Sequence, residues 1–109
     1  MIKPGKNTLR RWVKQINIEL FGGKLPVDRL RVFSESGNMV YSGLYYPGRG
    51  HIILHHENHE NHADMFATLA HEMIHFKQDT VDSPTNHNGK LFRHYRRKYM
   101  DSYGHIRNF

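Results

Sequence analysis

The strongest constraint in this sequence is a segment whose apolar residues share one face only if the segment forms an α-helix. Between residues 62 and 78, apolar side chains recur every three or four positions, the spacing of one face of an α-helix. They are Met65, Phe66, Leu69, Met73, Ile74 and Phe76. Asn61 is suited to cap this segment, and Asp64 in the first turn interacts favourably with the helix dipole. The pattern predicts a helix over about His62 to Gln78.

Two histidines and a glutamate lie on this predicted helix, in the segment His71-Glu72-Met73-Ile74-His75. His71 and His75 are four residues apart, so their side chains lie roughly 40° apart around the axis and one turn along it. Two imidazoles in that arrangement can reach one ion at about 2.0–2.1 Å. Glu72 is poorly placed as a further ligand but can reach a water on the open face of the ion. Zinc lowers the pKa of such a water, and Glu72 would accept its proton during attack on a peptide carbonyl.

A catalytic zinc site also needs a third protein ligand and an open position. Because the chain has 10 His and no Cys, that ligand must be a histidine or a carboxylate. The positions that would complete a metzincin pattern hold Gln78 and Val81, and no Glu follows the motif. His87 follows a short loop at the start of the next predicted helix, and this segment could fold back over the metal. We therefore predict one Zn²⁺ per chain, with His87 as the third ligand beside His71 and His75. The alternatives for the third ligand are His94, Asp79, Asp82 and a histidine from residues 55–62.

A second amphipathic pattern opens the chain, from about Thr8 to Phe21. Its apolar residues, again at helical spacing, are Leu9, Trp12, Val13, Ile16 and Leu20. Asn7 or Thr8 is expected to cap this helix. Gly22-Gly23 is expected to end it, since glycine readily adopts the left-handed conformation found after helices. Trp12 is predicted to be part of the core.

Strand-like runs occupy the middle of the chain, at residues 30–33, 39–46 and 51–54. Residues 34–38 are predicted to form a turn, and Pro47-Gly48-Arg49-Gly50 joins the last two runs as a hairpin. After a loop over residues 79–88, a third helix is predicted from about Gly89 to Tyr103. Its apolar side is expected to contain Leu91, Phe92, Tyr95 and Tyr99. This order predicts a single α+β domain over residues 1–109: a leading helix, a small antiparallel sheet, the histidine-bearing helix and a closing helix.

Excess positive charge is the next feature, with a net charge of +6 and a pI near 9.8. Such a balance favours anionic partners, among them nucleic acid. The residues that would bind phosphates are those of the last helix, Lys90, Arg93, Arg96, Arg97 and Lys98. Arg10, Arg11 and Lys14 would extend that surface. The alternative is a solvated helix face whose long side chains cover apolar surface.

Neither a signal peptide nor a membrane span is visible in the sequence. Residues 1–5 contain no apolar core segment, and the longest apolar runs, such as Ile52-Ile53-Leu54, are far too short to cross a bilayer. We therefore expect a cytoplasmic protein without membrane association that is not secreted. Its small size suits a bacterial or phage-infected cell.

Three further features carry expectations of their own. The histidines over residues 51–62 could form a second metal site or a pH-sensitive lid, although such loops are more often simply exposed. One of the six tyrosines could stabilise an oxyanion, but the sequence does not select it. The strand over residues 51–54 could pair with an extended substrate if it lies at a sheet edge.

Taken in order, these segments resemble the SprT-like zinc metallopeptidase family over about residues 8–100. The matching segments are Leu20-Phe21-Gly22-Gly23-Lys24-Leu25-Pro26, Gly43-Leu44-Tyr45-Tyr46 with His51-Ile52-Ile53-Leu54, Leu69-Ala70-His71-Glu72-Met73-Ile74-His75, and His87 with Gly89 and Phe92. They resemble the end of the family's first helix, its strand pair, its zinc helix and its third-ligand segment. The HEMIH core is the most specific of these matches.

This resemblance implies a zincin-like fold, bound zinc, endopeptidase activity on protein substrates and a link to DNA-bound proteins. Two departures from the family are visible. Asn88 separates His87 from Gly89, which the family often has adjacent, and a chain without Cys lacks the C-terminal zinc ribbon of many members. The second departure weakens the expected dependence on DNA more than the expected protease activity.

Two other functions fit the same residues. One is a metal-stabilised basic module that binds DNA or protein without cutting it, in which Glu72 would be dispensable. The other is a zinc hydrolase that acts on small amides. The proteolytic hypothesis predicts that Glu72→Gln abolishes hydrolysis while the fold and the zinc remain.

Overall fold

The computed structural model of the chain describes residues 2–36, 40–81, 84–104 and 109. Three helices and a small three-stranded sheet follow one another in the order α1, β1, β2, β3, α2, α3. Their ranges are α1 Lys6–Phe21, β1 Arg31–Glu35, β2 Gly43–Tyr46, β3 His51–His55, α2 His62–Thr80 and α3 Lys90–Tyr103. Short 3₁₀ turns occur at Val27–Arg29 and His56–Asn58. The predicted α+β class and element order are confirmed.

Helix α1 begins at Lys6, before the predicted start. Gly5 occupies the N-cap position without a side-chain cap, and its carbonyl accepts the Leu9 amide at 3.0 Å. The prediction that Asn7 or Thr8 caps the helix is therefore wrong, because the helical hydrogen bonds already begin at Gly5. The end of α1 is as predicted: Gly22 adopts φ 61°, and the amide of Gly23 donates to the carbonyl of Asn17 at 2.9 Å.

The sheet has the strand order β1-β3-β2 and is mixed, not antiparallel throughout. Strands β2 and β3 form the predicted antiparallel hairpin, with Leu44 opposite Ile53. Strand β1 runs parallel to β3, with Val32 opposite Ile52. The hairpin turns the chain back between its two neighbours, so β3 returns in the direction of β1. The prediction of an entirely antiparallel sheet is corrected on this point.

Central placement of β3 also overturns the predicted edge role of residues 51–54. Its backbone groups pair with β1 on one side and with β2 on the other. In the described part of the chain, β2 is instead paired on one side only. This strand is shorter than expected, since it begins at Gly43, and Met39 lies outside the described residues. The predicted turn over 34–38 is likewise corrected: Ser34 and Glu35 belong to β1, and residues 37 and 38 lie outside the described residues.

Helix α2 lies at the centre of the molecule, against β2 and β3 on one side and against α1 and α3 on the other. The side chain of Asn61 accepts the Asp64 amide at 2.8 Å, which confirms the predicted cap. The helix continues to Thr80, two residues beyond its predicted end. The fully buried side chains of α2 include Met65, Leu69, Met73 and Ile74. Trp12, predicted to be core, is partly buried and packs edge-on against Phe66, with ring centroids 5.8 Å apart.

Helix α3 packs against α1 and α2 through Phe92 and Tyr99, which are both buried. Leu91 and Tyr95, predicted on the same side, are half-buried. Gly89 takes the N-cap position, so the helix begins one residue later than predicted. None of the helices in the described ranges is both long and apolar enough to cross a membrane.

Candidate metal centre

The three predicted metal ligands meet at one point in the structure. His87 Nε2 lies 3.0 Å from His71 Nε2 and 3.0 Å from His75 Nε2. One ring nitrogen from each of the three histidines falls within 4.8 Å of the other two. Bonds of about 2.0–2.1 Å in tetrahedral geometry would place such nitrogens about 3.3 Å apart. The three side chains are therefore spaced to hold a metal ion.

Two elements bring these histidines together. His71 and His75 lie one turn apart on α2, with ring centroids 5.1 Å apart. His87 is exposed on the loop before α3, where Asn86 Oδ1 accepts the backbone amide of Asn88 at 3.0 Å and closes a tight turn around the histidine. Asn88, the departure seen in the sequence, thus has a place in the turn that presents His87.

His75 is anchored by Gln78, which was not among the predicted site residues. Gln78 is 1% exposed. Its Oε1 lies 2.8 Å from His75 Nδ1, and its Nε2 donates to the carbonyl of Asn86 at 2.9 Å. The helical spacing of three residues between His75 and Gln78 was the available signal for this pair.

His71 has a different environment. The ring of Phe92 lies 5.0 Å from its ring and the ring of Phe109 lies 5.7 Å away. Its Nδ1 is buried and has no hydrogen-bond partner among the described residues. Burial, with smaller contributions from the charges of His75, His87 and Arg96, lowers the pKa of His71 to about 3. This ring is therefore neutral near pH 7, the form that binds a metal.

The same protonation state holds for His75. Burial lowers its pKa, the hydrogen bond to Gln78 opposes that effect, and the charge of His87 adds to it. A neutral ring has one protonated and one unprotonated nitrogen. Its Nε2 faces the other two ligands and is available for an ion.

Glu72 lies beside the triad and is 7% exposed. Burial raises the pKa of this carboxyl to about 7. A carboxyl with such a pKa can accept or release a proton near neutral pH, as a general base must. A cation held by the histidines would favour the ionised form of Glu72.

A cleft of about 440 Å³ opens onto these residues. Strand β2 and the residues before it form one wall, α2 forms the floor, and His87 lies at the rim. Gly43 marks the closest approach of the two elements: a Cβ at this position would lie 2.7 Å from Thr68 Cγ2 and 3.3 Å from Glu72 Cγ. The absence of a side chain at Gly43 allows the strand to lie directly over Glu72.

Two tyrosines, Tyr41 and Tyr45, line the cleft. The Tyr45 hydroxyl donates to Asp79 Oδ2 at 2.6 Å, and the same carboxylate oxygen accepts the Gly48 amide at 2.9 Å. Burial and the bond to Asp79 raise the pKa of Tyr45. Asp79, one of the alternatives for the third ligand, therefore anchors the β2–β3 turn instead. The hydrogen bond from Tyr45 and then that from Gly48 lower its pKa.

Of the remaining alternatives, those within the described residues do not join the triad. His94 is exposed and packs against Tyr95, and Asp82 lies outside the described residues. The histidines over residues 51–62 form no group of three ligands among the described residues. His55 and His59 are nevertheless buried, contrary to the expectation of an exposed loop. His59 Nδ1 lies 2.9 Å from the carbonyl of His55, and His59 Nε2 lies 2.8 Å from Thr68 Oγ1.

The basic residues predicted to bind nucleic acid are exposed along α3. They are Lys90, Arg93, Arg96, Arg97 and Lys98. Lys98 already has a partner, since its Nζ donates to the carbonyl of Leu20 at 3.0 Å, at the end of α1. This contact is typical of a cation that stabilises the C-terminus of a helix. Phosphate binding by this face stays a prediction.

No protein-family model, no curated protein and no solved structure matches this chain. Function is therefore inferred from the side chains themselves. They combine three converging imidazoles, a buried carboxyl and an open cleft on one face of α2.

Proposed function

We propose that this protein is a zinc-dependent endopeptidase. The observation that carries the proposal is the convergence of His71, His75 and His87 next to the buried carboxyl of Glu72. Three nitrogen ligands without sulfur suit zinc, and three protein ligands leave a fourth position open, as in catalytic zinc sites. When bound, zinc supplies an acidified water and a Lewis acid for the substrate carbonyl.

Glu72 has the role of general base in this proposal. Its carboxylate accepts the proton from the attacking water and returns it to the amine nitrogen that leaves. His71 and His75 are neutral near pH 7, and their Nε2 atoms lie beside Nε2 of His87 at the cleft. Tyr45 has a positioning role, because its hydroxyl is bound to Asp79.

Strand β2 is the element best suited to bind the substrate backbone. It lines the cleft and pairs with β3 on one side only in the described part of the chain. An extended peptide could add to this edge through backbone hydrogen bonds, which tolerate many sequences. Gly43 lets β2 itself lie close to Glu72, so a peptide added to this strand would be brought near that carboxyl. The substrate class supported best is therefore an extended or unfolded segment of a protein.

Glu72→Gln is the direct test, with hydrolysis of a fluorescently labelled unfolded protein, such as casein, as the measurement. The variant should lose about 10²–10⁴-fold of the rate, the usual contribution of a positioned general base. It should keep its fold and its zinc, because Glu72 is not a ligand. Glu19→Gln, on the far helix α1, is the matched control and should retain activity. Cleavage by Glu72→Gln at the wild-type rate would refute the proposal.

The exposed guanidinium groups of α3 support a second candidate, a metal-stabilised module that binds nucleic acid without cutting protein. Arg93, Arg96 and Arg97 are exposed, and such a face would bind phosphates with a strong dependence on salt. A combined Arg93→Ala and Arg97→Ala variant tests it against wild type in binding to labelled DNA. Salt-dependent binding lost in the variant, together with an inert wild type in the casein assay, favours the module. With both activities present, proteins bound to nucleic acid become candidate substrates, to be tested with a DNA-bound protein in the same assay.

A further inference from the structure

Gln78 connects the two separate parts of the metal centre. It is 1% exposed and lies one helical turn after His75 on α2. Both polar atoms of its side chain are used: Oε1 on His75 Nδ1 at 2.8 Å, and Nε2 on the carbonyl of Asn86 at 2.9 Å. Asn86 immediately precedes His87 in the chain. The buried amide of Gln78 therefore contacts His75, one proposed ligand, and Asn86, the residue next to the proposed ligand His87.

The chemistry of these contacts assigns the proton on His75. A backbone carbonyl can only accept, so the Gln78 atom beside Asn86 must be the NH₂ group. The atom beside His75 must then be the amide oxygen, which can also only accept. His75 Nδ1 therefore carries the proton, and the lone pair of its neutral ring is on Nε2. That nitrogen is the one that faces His71 and His87.

The second contact of Gln78 restrains the loop that carries His87. Residues 84–88 are exposed, so the loop has little burial to hold it. Its internal bond, from the Asn88 amide to Asn86 Oδ1, shapes the turn but does not attach it to α2. The bond from Gln78 to the Asn86 carbonyl makes that attachment, one residue before the ligand.

We propose that Gln78 is the positioning residue of the metal centre, which sets the tautomer of His75 and holds the loop of His87 against α2. The inference rests on the proposed zinc site and adds a determinant of its affinity. His71 has no equivalent support among the described residues, since its buried Nδ1 has no partner. Gln78 thus contacts both α2 and the loop of His87 through one side chain.

Gln78→Met tests this inference, because methionine has nearly the same shape and makes neither hydrogen bond. We expect zinc affinity to fall about 10–100-fold, the usual effect of removing the hydrogen-bond partner of a metal-bound histidine. The measurement is competition for zinc with a chromophoric chelator. In the metal-free protein, ring ¹⁵N NMR should show His75 as the Nδ1–H tautomer in wild type and as a mixture in the variant.

Asn17→Leu is a matched control that separates positioning from general destabilisation. Asn17 also carries a buried amide that makes two hydrogen bonds. Its Nδ2 donates to the carbonyl of Leu25 at 3.2 Å, and its Oδ1 accepts the amide of Leu25 at 3.0 Å. It lies on α1, outside the cleft-lining residues. The control should unfold more readily than wild type but bind zinc with wild-type affinity. Equal zinc affinities for Gln78→Met and Asn17→Leu would overturn the inference.

The contribution of the loop is isolated by repeating Gln78→Met in a His87→Ala background. If Gln78 acts partly through His87, its effect on zinc affinity becomes smaller there, since coupled residues are not additive. An undiminished effect would show that Gln78 acts through His75 alone and would refute the role of the loop. Should Gln78→Met be unfolded without metal, the midpoint of its zinc-induced refolding, followed by circular dichroism, replaces the competition assay. A refolding midpoint at the zinc concentration that half-saturates Asn17→Leu then overturns the inference.

The outcome is separable from that of the proposed function. A wild type that binds no zinc refutes both. A wild type that binds zinc but hydrolyses no protein refutes only the peptidase, and a fall in affinity on Gln78→Met still supports the role of Gln78. Hydrolysis and zinc binding that are both insensitive to Gln78→Met refute the role of Gln78 alone.

Discussion

Two groups of histidines lie near the cleft, and their ring nitrogens are used in opposite ways. In the triad of His71, His75 and His87, the Nε2 atoms point at one another. A second group, which we call the junction histidines, consists of His55 at the end of β3 and His56 and His59 before α2. The ring nitrogens of His55 have no hydrogen-bond partner among the described residues. His56 Nδ1 lies 3.1 Å from Ser34 Oγ, and His59 spans the His55 carbonyl and the Thr68 hydroxyl. Histidine-rich sequence therefore does not define a metal site; convergent lone pairs do.

Electrostatics alone would not separate the two groups. Burial lowers the pKa of His71 and His75, and it also lowers that of His59, where the charge of Asp64 opposes the effect. Each depressed pKa reports a buried, neutral ring. The difference lies in what the unprotonated nitrogen faces. For His59 it faces the Thr68 hydroxyl, whereas for His75 it faces two further imidazoles.

The largest expected difference between the groups concerns bound zinc. His75→Ala removes one of three ligands, and we expect a loss of affinity greater than the roughly 10–100-fold that removing a ligand's hydrogen-bond partner costs. His59→Ala should retain one zinc per chain, because both ring nitrogens of His59 bind within the protein. Elemental analysis after desalting measures the zinc content of both variants. Loss of zinc from His59→Ala would show that the junction histidines also contribute to metal binding.

Removal of metal should destabilise the wild-type protein but not His75→Ala. A ligand present at a thousand times its dissociation constant stabilises the folded state by about 4 kcal/mol. The free energy of unfolding in urea, with and without a strong chelator, measures this effect. His59→Ala should respond to the chelator as wild type does. A wild type whose stability is unchanged by chelation would show that the triad holds no metal in solution.

Glu72, beside the triad, gives stability a pH dependence opposite in sign to that of the buried His59 among the junction histidines. In the metal-free protein, burial raises the pKa of Glu72 from 4.5 to about 7. Its contribution to stability is therefore fully present below pH 4.5 and is lost as the pH rises through about 7. The loss amounts to about 3 kcal/mol, from 1.36 kcal/mol for each pKa unit.

Glu72→Gln removes this titration, so the metal-free variant should exceed the metal-free wild type in stability at pH 8 by more than it does at pH 5. Urea unfolding at the two pH values measures the difference, and the histidine titrations cancel because both proteins contain them. A difference independent of pH would mean that Glu72 is solvated like an ordinary surface carboxyl.

The smallest effect is expected within the junction histidines. Thr68→Val preserves shape but removes the hydroxyl that lies 2.8 Å from His59 Nε2. A buried acceptor left without a donor costs about 1–3 kcal/mol, so the variant should unfold at a lower urea concentration. Its zinc affinity should equal that of wild type. Reduced zinc affinity would show that the two groups of histidines are coupled through α2.

Much of the fold could be predicted because it depends on neighbours in sequence. The apolar spacing in α2 indicated a packed helix, and the same spacing placed His71 and His75 on one side of it. Asn61 and Gly22 marked helix ends through their own side-chain and backbone chemistry. The prediction failed at the start of α1, where Gly5 precedes Asn7 and Thr8 in a role that does not depend on a side chain.

Strand pairing was beyond the reach of local pattern. The apolar run over residues 51–54 looks the same in sequence whether it lies at an edge or in the centre, and only the position of β1 decided that it is central. The same holds for Gly43, which is essential because β2 lies against Thr68 and Glu72. The burial of His59 also depends on packing between elements that are distant along the chain.

By itself, the sequence determined a helix on which the imidazoles of His71 and His75 lie one turn apart, with the carboxyl of Glu72 beside the first. Helical geometry fixes this arrangement because it places residues three and four positions apart on neighbouring turns. The His71 and His75 positions follow from that rule, whereas His87 was predicted from its place after a short loop, with several alternatives left open. The tertiary structure alone decided that His87 reaches them, that Gln78 joins the two parts of the site, and that β2 is the strand beside the cleft. These relations join segments whose separation along the chain carries no information about distance, so only the packing of the core fixes them.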